Sequence, residues 1–302
     1  MKSVIFGAGG QDGRILAAQI ESSGQQVMRV NRLDPSSPLS GGDLSSFLVK
    51  EQPDEIYYLA AHHRSSEEKP TSISSEWIQS FRVHLEGWVH VLEVVRYHLP
   101  RARVLYASSA HVFGDPSVVP QNENTPMCPT CAYGCSKLAG MEAGRYYRQE
   151  HQLHVSHLIL YPHESIFRSP TFLSKKLLLA AHSAAIDPGF SIQIGDPESI
   201  CDWGYAPEYT ESMRNVLKLN EPDDFIVATG HQARVRDFAK AVFNCFGLDW
   251  ERHVVSKPDL LTKPKRRYVG DASKLLKKTG CRPSLCLPEL AERLVRDFRE
   301  IS

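Results

Sequence analysis

The chain of 302 residues lacks any excess of charge, since Lys plus Arg and Asp plus Glu both number 35. A balanced charge gives no support for a nucleic-acid partner or for an oppositely charged protein partner. No apolar run approaches the roughly 18 residues that a membrane-spanning helix needs. The N-terminus, Met1 to Gly7, also lacks the apolar core of a signal peptide. The sequence therefore predicts a cytoplasmic protein with no membrane or nucleic-acid partner.

A complete metal-binding motif is missing as well. Cys128 and Cys131 form a CxxC pair, but no second CxxC or HxxxH completes the four ligands of a closed zinc site. The seven cysteines are an odd number, and in the absence of an export signal we expect reduced thiols. The adjacent His62 and His63 are interpreted as loop or substrate-rim residues. We therefore predict no metal, and zinc or redox chemistry at the CxxC is the less favoured alternative.

The first feature that is present is a glycine-rich turn between a predicted strand, residues 4–6, and a predicted helix that ends at Gly24. Glycines let the backbone approach a pyrophosphate, and the helix N-terminus offers free N–H groups with a partial positive charge. This order of elements predicts a dinucleotide site, with an ordinary strand–helix turn as the alternative. The predicted cofactor-binding residues of the turn are Gly7, Gly10, Gln11, Asp12 and Gly13.

The end of the second predicted strand bears on which nicotinamide cofactor binds. An acidic residue there would hold the ribose 2′-hydroxyl of NAD, whereas an arginine suits the 2′-phosphate of NADP. Arg32 follows the strand directly, and Asp34 comes two residues later. We therefore predict NADP, with NAD as the alternative, and a solvated surface arginine is the other interpretation of Arg32.

Tyr133 and Lys137 lie four residues apart on a predicted helix, a spacing that puts both side chains on one face. An ammonium group beside a phenol favours the ionised form, which predicts a Tyr133 pKa lowered towards neutrality. Such a Tyr could exchange a proton with a sugar or alcohol hydroxyl. Ser109 ends an earlier predicted strand, at the edge where parallel sheets bind ligands. Taken alone, the Tyr-Lys spacing also fits an ordinary amphipathic helix.

Alternating strand and helix patterns predict an α/β fold, a Rossmann-type doubly wound parallel sheet with a smaller C-terminal substrate-binding lobe. We place the NAD(P)-binding Rossmann domain at residues 1–165 and the lobe at residues 166–302, with segments around 203–230 returning to the Rossmann domain. Apolar residues at every third or fourth position from Ile78 to Val95 indicate a long amphipathic helix, which packs in the core or in a dimer.

Several motifs resemble the extended short-chain dehydrogenase/reductase family and, within it, the GDP-mannose 4,6-dehydratase family. The motifs that carry the resemblance are Gly10-Gln-Asp-Gly13, Gly42-Asp43-Leu44, Pro120-Gln121, His163-Glu164-Ser165, Asp202-Trp203-Gly204 and Glu221 to Gly230. The matches extend over nearly the whole chain. The resemblance implies an NADP-dependent nucleotide-sugar 4,6-dehydratase, which oxidises carbon 4 of a GDP-mannose-type substrate and eliminates water across carbons 5 and 6.

The resemblance also implies the residues of the site. The catalytic residues that it implies are Ser109, His111, Tyr133 and Lys137. Besides Tyr133, Lys137 and the residues of the glycine turn, the cofactor-binding residues are Arg32, Asp43, Leu44, Ala60, Ala61 and His163. The substrate-binding residues that it implies are Ser109, Ala110, His111, Pro162, Glu164, Ser165, Arg168, Lys176 and Cys201.

Three positions depart from the family pattern. His111 stands where the family has the Glu that takes the proton from carbon 5, Cys201 replaces an Arg that contacts the nucleotide phosphate, and Pro162 replaces an Asn. An imidazole, with an ordinary pKa of roughly 6.5, could take that proton and return it. The departures leave two alternatives open: a nucleotide-sugar epimerase or 4-ketoreductase of the same fold, and a catalytically idle cofactor-binding relative.

The resemblance further implies a homodimer. In the family, the helix that corresponds to the stripe from Ile78 to Leu92 and the helix after Tyr133 build a four-helix bundle between two subunits. The stripe would leave an exposed apolar patch on an isolated subunit, which monomers rarely tolerate. The loop after Arg32, which crosses to a further subunit in tetrameric relatives, is shortened here to residues 33–42. We therefore expect the dimer contact to remain and the tetramer contact to be missing.

Overall fold

The computed structural model describes residues 1–31, 43–68, 72–261 and 267–300. The strands are β1 Lys2–Phe6, β2 Gln26–Val30, β3 Glu55–Tyr58, β4 Arg103–Ser109, β5 Val155–Leu160, β6 His163–Glu164, β7 Ile192–Ile194, β8 Ile200–Asp202, β9 Gly204–Tyr205, β10 Asp224–Val227, β11 Gln232–Arg234 and β12 Val254–Ser256. The helices are α1 Gln11–Ser22, α2 Asp43–Glu51, α3 Ile73–Phe81, α4 Gly87–His98, α5 Ala132–Glu150, α6 Leu173–Ile186, α7 Ala206–Leu217, α8 Val235–Asn244, α9 Ser273–Thr279 and α10 Leu287–Arg299.

Six parallel strands among the described residues form the central sheet, in the order β2-β1-β3-β4-β5-β10. Strand residues such as Ile5, Ile56 and Leu105 are completely buried, as expected for a parallel sheet that is covered by helices on both faces. The arrangement confirms the predicted Rossmann-type doubly wound sheet. In this sheet Phe225 of β10 lies opposite Leu158 of β5. The domain boundary between residues 165 and 166 stays a prediction.

The direction of winding reverses between β1 and β3, because β2 lies on one side of β1 and β3 on the other. Ligands of doubly wound sheets bind at this switch point, beyond the carboxyl ends of the strands. Gly7 follows β1 with a φ of +85°, and a Cβ atom there would come within 2.7 Å of the backbone nitrogen of Ala60 after β3. A glycine is therefore required for the two strand ends to approach each other.

The C-terminal lobe has an apolar core of its own, in which α6, α8 and α10 pack around Leu178, Phe238 and Leu294. The carboxylate of Asp202, at the end of β8, accepts hydrogen bonds from the backbone N–H groups of Gly230 at 2.9 Å and Gly270 at 3.2 Å. These bonds tie the lobe to the chain that follows β10. The motif containing Asp202 therefore lies at the junction between the lobe and the sheet.

The predicted amphipathic helix lies within one continuous helix, residues 73–98, which joins α3 to α4. Its stripe divides in two, since Trp88 and Leu92 are completely buried in the subunit whereas Ile78 is 63% exposed. None of the described helices combines the length and the apolar character that crossing a bilayer would demand.

A π-helical turn, Arg82–Glu86, interrupts this helix. Such turns disturb the regular α-helical hydrogen-bond ladder, and they occur frequently at functional sites. The hydroxyl of Tyr58 on β3 donates to the Val83 carbonyl at 2.5 Å, and that of Tyr106 on β4 donates to the His84 carbonyl at 2.9 Å. Two strands of the sheet therefore hold the turn in place beside the switch point.

Candidate active site

A cavity of about 1480 Å³ runs along the carboxyl edge of the sheet, from the glycine turn to the lobe residue Tyr268. Most of the predicted site residues meet there. Those that line the cavity are Gly7, Gly10, Gln11, Asp12, Gly13, Ala60, Ala61, Ser109, Ala110, His111, Tyr133, Lys137, Pro162, His163, Glu164 and Arg168. Because this wall joins the glycine turn to the Tyr-Lys pair, a single bound molecule could contact both.

Among the predicted site residues that the structure describes, four do not line this cavity. The Ser165 hydroxyl donates to Gln11 at 2.9 Å, and the Lys176 ammonium group pairs with Glu67 at 2.6 Å. The side chain of Leu44 is buried in the core of the sheet.

Cys201, the fourth of these residues, lies in β8, opposite Ala233 of β11. Burial raises the pKa of the Cys201 thiol well above its usual value, so the group is neutral. It therefore brings no positive charge to the place where the family has an Arg. Arg32 and the side chain of Asp43 lie outside the described residues.

The glycine turn fits the pyrophosphate of a dinucleotide. Gly10 lines the cavity and stands at the N-terminal end of α1, where backbone N–H groups have no intrahelical partners. A Cβ atom on Gly13 would come within 2.5 Å of the Cα of Ala8, so the helix packs directly on the turn. Asn31 lines the cavity at the end of β2, where a ribose is read. These residues would hold a nicotinamide cofactor, whose reactive ring accepts and donates hydride.

An Asp-His pair links the start of α1 to the chain after β5. Both carboxylate oxygens of Asp12 lie 3.0 Å from Nε2 of His163, whose Nδ1 lies 2.6 Å from the carbonyl of Tyr161. Burial would raise the pKa of Asp12, but His163 and Arg168 outweigh it and lower the pKa to about 2. The carboxylate is therefore ionised at neutral pH, and it links the glycine turn to the chain after β5.

Tyr133 and Lys137 share a face of α5, as the spacing predicts, but the predicted pKa of Tyr133 is wrong. Burial of the phenol raises its pKa, and the hydrogen bond from Ser109 lowers it by less. The Lys137 ammonium group donates to the carbonyl of Ala107 at 2.7 Å and lies 5.8 Å from the centre of the Tyr133 ring. Burial lowers the pKa of Lys137 to about 7, so this lysine supplies less positive charge than the prediction assumed.

His111 lies where β4 ends, in the first turn of a short 3₁₀ helix, and its backbone N–H donates to the Ser109 hydroxyl at 3.3 Å. Its ring meets that of Tyr133 edge-on at a centroid distance of 5.5 Å. On its other side, Nδ1 lies 3.9 Å from the Cys131 sulfur. His111 is thus placed to exchange a proton with a substrate held by Ser109 and Tyr133. No group of three or more potential ligands in the described parts of the chain could hold a metal ion.

Two histidines around Tyr133 were not predicted as catalytic. The His63 ring stacks on the Tyr133 ring at 4.4 Å, and the buried His84 ring meets it edge-on at 5.2 Å. The position of His63, just after β3, is the signal that sequence reasoning could have used, since strand ends of one edge converge. His84 gives no comparable signal, because its role depends on the π-helical turn.

The model of one protein family, described as GDP-mannose 4,6 dehydratase, matches residues 39–294. Among curated proteins, GDP-mannose 4,6 dehydratase 2 of Caenorhabditis elegans is 29% identical, with 97% of this chain and 87% of that protein aligned. GDP-mannose 4,6 dehydratase 1 of Arabidopsis thaliana is 29% identical over 99% of this chain and 90% of that protein. GDP-mannose 4,6 dehydratase 2 of the same plant is 30% identical over 83% and 67%.

Two solved structures have the same fold as this chain. The dTDP-glucose 4,6-dehydratase of Bacillus anthracis, in complex with NAD, superposes with a TM-score of 0.83 at 16% identity, covering 99% of this chain and 97% of that one. The protein RMD of Pseudomonas aeruginosa, complexed with NADPH, gives a TM-score of 0.81 at 19% identity, covering 99% of both chains. These likenesses show that the chain has the fold of both proteins.

Proposed function

We propose that this chain, which belongs to the GDP-mannose 4,6-dehydratase family, is an NADP-dependent enzyme that oxidises carbon 4 of a GDP-linked hexose and eliminates water across carbons 5 and 6. The observation that carries the proposal is the convergence of Ser109, His111, Tyr133 and Lys137 on the cavity that also contains the glycine turn. We place the reaction in the cytoplasm, where the cysteines stay reduced.

Each residue has a distinct part in this reaction. Ser109 and Tyr133 hold the oxygen on carbon 4, and Tyr133 removes its proton as hydride leaves that carbon. Tyr133 would act as the ionised phenol, which the positive charge of an oxidised nicotinamide would favour against the effect of burial if the cofactor were bound. The resulting ketone acidifies the hydrogen on carbon 5, which His111 removes. Lys137 stays beside the phenol and, with a pKa of about 7, can carry or release a proton.

Arg168 is the residue that we propose for the diphosphate of the substrate. It lines the cavity, and its Nε lies 3.0 Å from the Glu164 carboxylate, which fixes the guanidinium group at the lobe side. Its guanidinium group also lies 5.0 Å from the centre of the Phe172 ring. A planar guanidinium group matches phosphate oxygens in pairs, so Arg168 supplies a positive charge that Cys201 cannot.

The test is incubation of the purified protein with GDP-mannose and NADP, followed by mass analysis of the sugar nucleotide. The proposal expects a product lighter by one water, with no net change in the reduced cofactor after turnover. An isomeric product of unchanged mass would instead support an epimerase. If neither product forms, the catalytically idle cofactor-binding relative is the better interpretation.

The cofactor preference gives a separate prediction. The parent protein is expected to bind NADP more tightly than NAD, and Arg32→Ala to weaken NADP binding by about tenfold or more, because a charge-assisted contact to a phosphate is lost. Calorimetric titration with both cofactors measures the effect, and Arg101→Ala, at an exposed arginine, is the matched control. Equal affinity of the parent protein for NADP and NAD would contradict the prediction.

The exposed apolar end of α3 predicts a homodimer. Ile73, Trp77 and Ile78 are 74%, 42% and 63% exposed, and α3 packs on α5 to form a continuous helical face. Burial of this face between two copies removes apolar surface from water. Light scattering is expected to find a dimer. The Trp77→Glu variant should shift the equilibrium towards monomer, whereas Val255→Glu, at an exposed site in the lobe, should leave the dimer unchanged. A parent protein that is a monomer or a stable tetramer would refute this assignment.

A further inference from the structure

Two imidazoles flank the Tyr133 ring on the cavity side. His63 stacks on its face at a centroid distance of 4.4 Å with an interplanar angle of 29°, and His111 meets its edge at 5.5 Å and 89°. The two imidazole centroids are 6.2 Å apart. Both side chains line the same cavity, so a sugar whose carbon-4 oxygen meets Tyr133 has an imidazole on each of two sides.

The position of His63 is built into the fold. The backbone N–H of its neighbour His62 donates to Nε2 of His84 at 3.0 Å, and Nδ1 of His84 lies 2.7 Å from the Ser136 hydroxyl on α5. Because Nε2 accepts a hydrogen bond, Nδ1 carries the proton of His84. Burial lowers the pKa of His84 well below its usual value, which keeps this anchor neutral.

The lobe completes the placement of His63. The Phe172 ring, just before α6, lies 5.3 Å from the His63 ring. His63 is therefore fixed at the backbone by the π-helical turn and packed between the rings of Tyr133 and Phe172. Its imidazole is nevertheless exposed on the cavity side. A side chain that is positioned by three elements and still faces the reacting space is suited to proton transfer.

We propose that His63 is a second catalytic acid–base residue, which protonates the departing hydroxyl on carbon 6 while His111 takes the proton from carbon 5. This inference rests on the proposed function. The carbon-5 hydrogen leaves as a proton to neutral His111, its electron pair forms the double bond between carbons 5 and 6, and the bond from carbon 6 to oxygen breaks. Protonated His63 supplies the proton that turns the leaving hydroxyl into water.

The proton inventory explains why two imidazoles serve better than one. Hydride then returns to carbon 6, and His111 returns its proton to carbon 5, so His111 ends unchanged. Tyr133 ends with the proton from the carbon-4 hydroxyl, and His63 ends one proton short. Proton exchange with solvent restores both groups for the next turnover, since the His63 imidazole is exposed on the cavity side.

The experiment compares His63→Phe with His111→Ala in deuterium oxide, with GDP-mannose and NADP. Phenylalanine keeps the ring packed between Tyr133 and Phe172 but cannot carry a proton. We expect the His63→Phe variant to reduce the cofactor and to exchange the carbon-5 hydrogen for deuterium near the parent rate. The rate of formation of the 6-deoxy product should fall by about a hundredfold or more. His111→Ala should instead lose the carbon-5 exchange. His98→Gln, at an exposed histidine on α4, is the matched control.

The outcomes separate this inference from the proposed function. If the parent makes the product and His63→Phe makes it within about threefold of the parent rate, too little for a lost acid–base group, the inference is wrong and the function stands. If the parent makes no product, the proposed function is wrong. NMR titration of the imidazoles then tests whether His63 and His111 act as a pair. Two coupled histidines predict that His63→Phe raises the His111 pKa by about half a unit or more. If the pKa of His111 is unchanged in His63→Phe, the inference that the two histidines act as a pair is wrong.

Discussion

Tyr133→Phe is expected to lower product formation by about a hundredfold or more, because the variant loses the group that removes the carbon-4 proton. The substitution removes the polar interaction with Ser109 that lowers the pKa of the phenol. The ring itself stays packed against His63, His84 and His111. We therefore expect unchanged thermal stability to within a few degrees and nearly unchanged binding of the nucleotide sugar.

Turnover of GDP-mannose and reduction of the cofactor in a single turnover measure the effect. Both should fall together, because the first hydride transfer requires the carbon-4 proton to leave. Tyr146→Phe is the matched control, since Tyr146 lies on the same helix with its side chain 55% exposed. Turnover of Tyr133→Phe within about tenfold of the parent would show that another group removes the proton.

Local sequence patterns were enough to predict the Rossmann-type sheet and most of the cavity wall. The glycine turn at residues 7–13 and the apolar strands are short-range signals whose geometry hardly depends on the rest of the chain. The convergence of Ser109 with Tyr133 also follows from a general rule, since strand ends and the helices that follow them meet at one edge. The family model, which matches residues 39–294, confirms the resemblance drawn from these motifs.

The errors arose where the outcome depends on tertiary packing. The pKa of Tyr133 was predicted from its spacing to Lys137, but burial acts on both groups and favours their neutral forms. The substrate contact of Lys176 stays a prediction, and its ammonium group pairs with Glu67, which is distant in the sequence. The stacking of His63 on Tyr133 likewise depends on the hydrogen bond between His62 and His84. None of these contacts has a short-range signature.

Lys137→Met is expected to stabilise the folded chain at acidic pH although it removes a residue of the active site. Lys137 is 1% exposed, and its pKa falls from 10.5 to about 7 in the folded protein. The folded chain therefore binds fewer protons at this site than the unfolded chain between these two pKa values. Stability from this group rises with pH across that window, and below pH 7 the full cost of the buried charge remains. Methionine, of similar length, removes that cost.

Urea unfolding at pH 6.5 and pH 9.5 measures the free energy of unfolding of both proteins. The advantage of Lys137→Met over the parent should be larger at pH 6.5 by about 3 kcal/mol, which corresponds to the change in proton binding between the two pH values. The lost hydrogen bond to Ala107 costs about 1 kcal/mol at either pH and cancels in this comparison. Lys240→Met, at an exposed lysine, should have the same free energy of unfolding as the parent at both pH values. A stability difference between parent and Lys137→Met that does not change with pH would mean that Lys137 keeps its charge in the fold, beside the Tyr133 phenol.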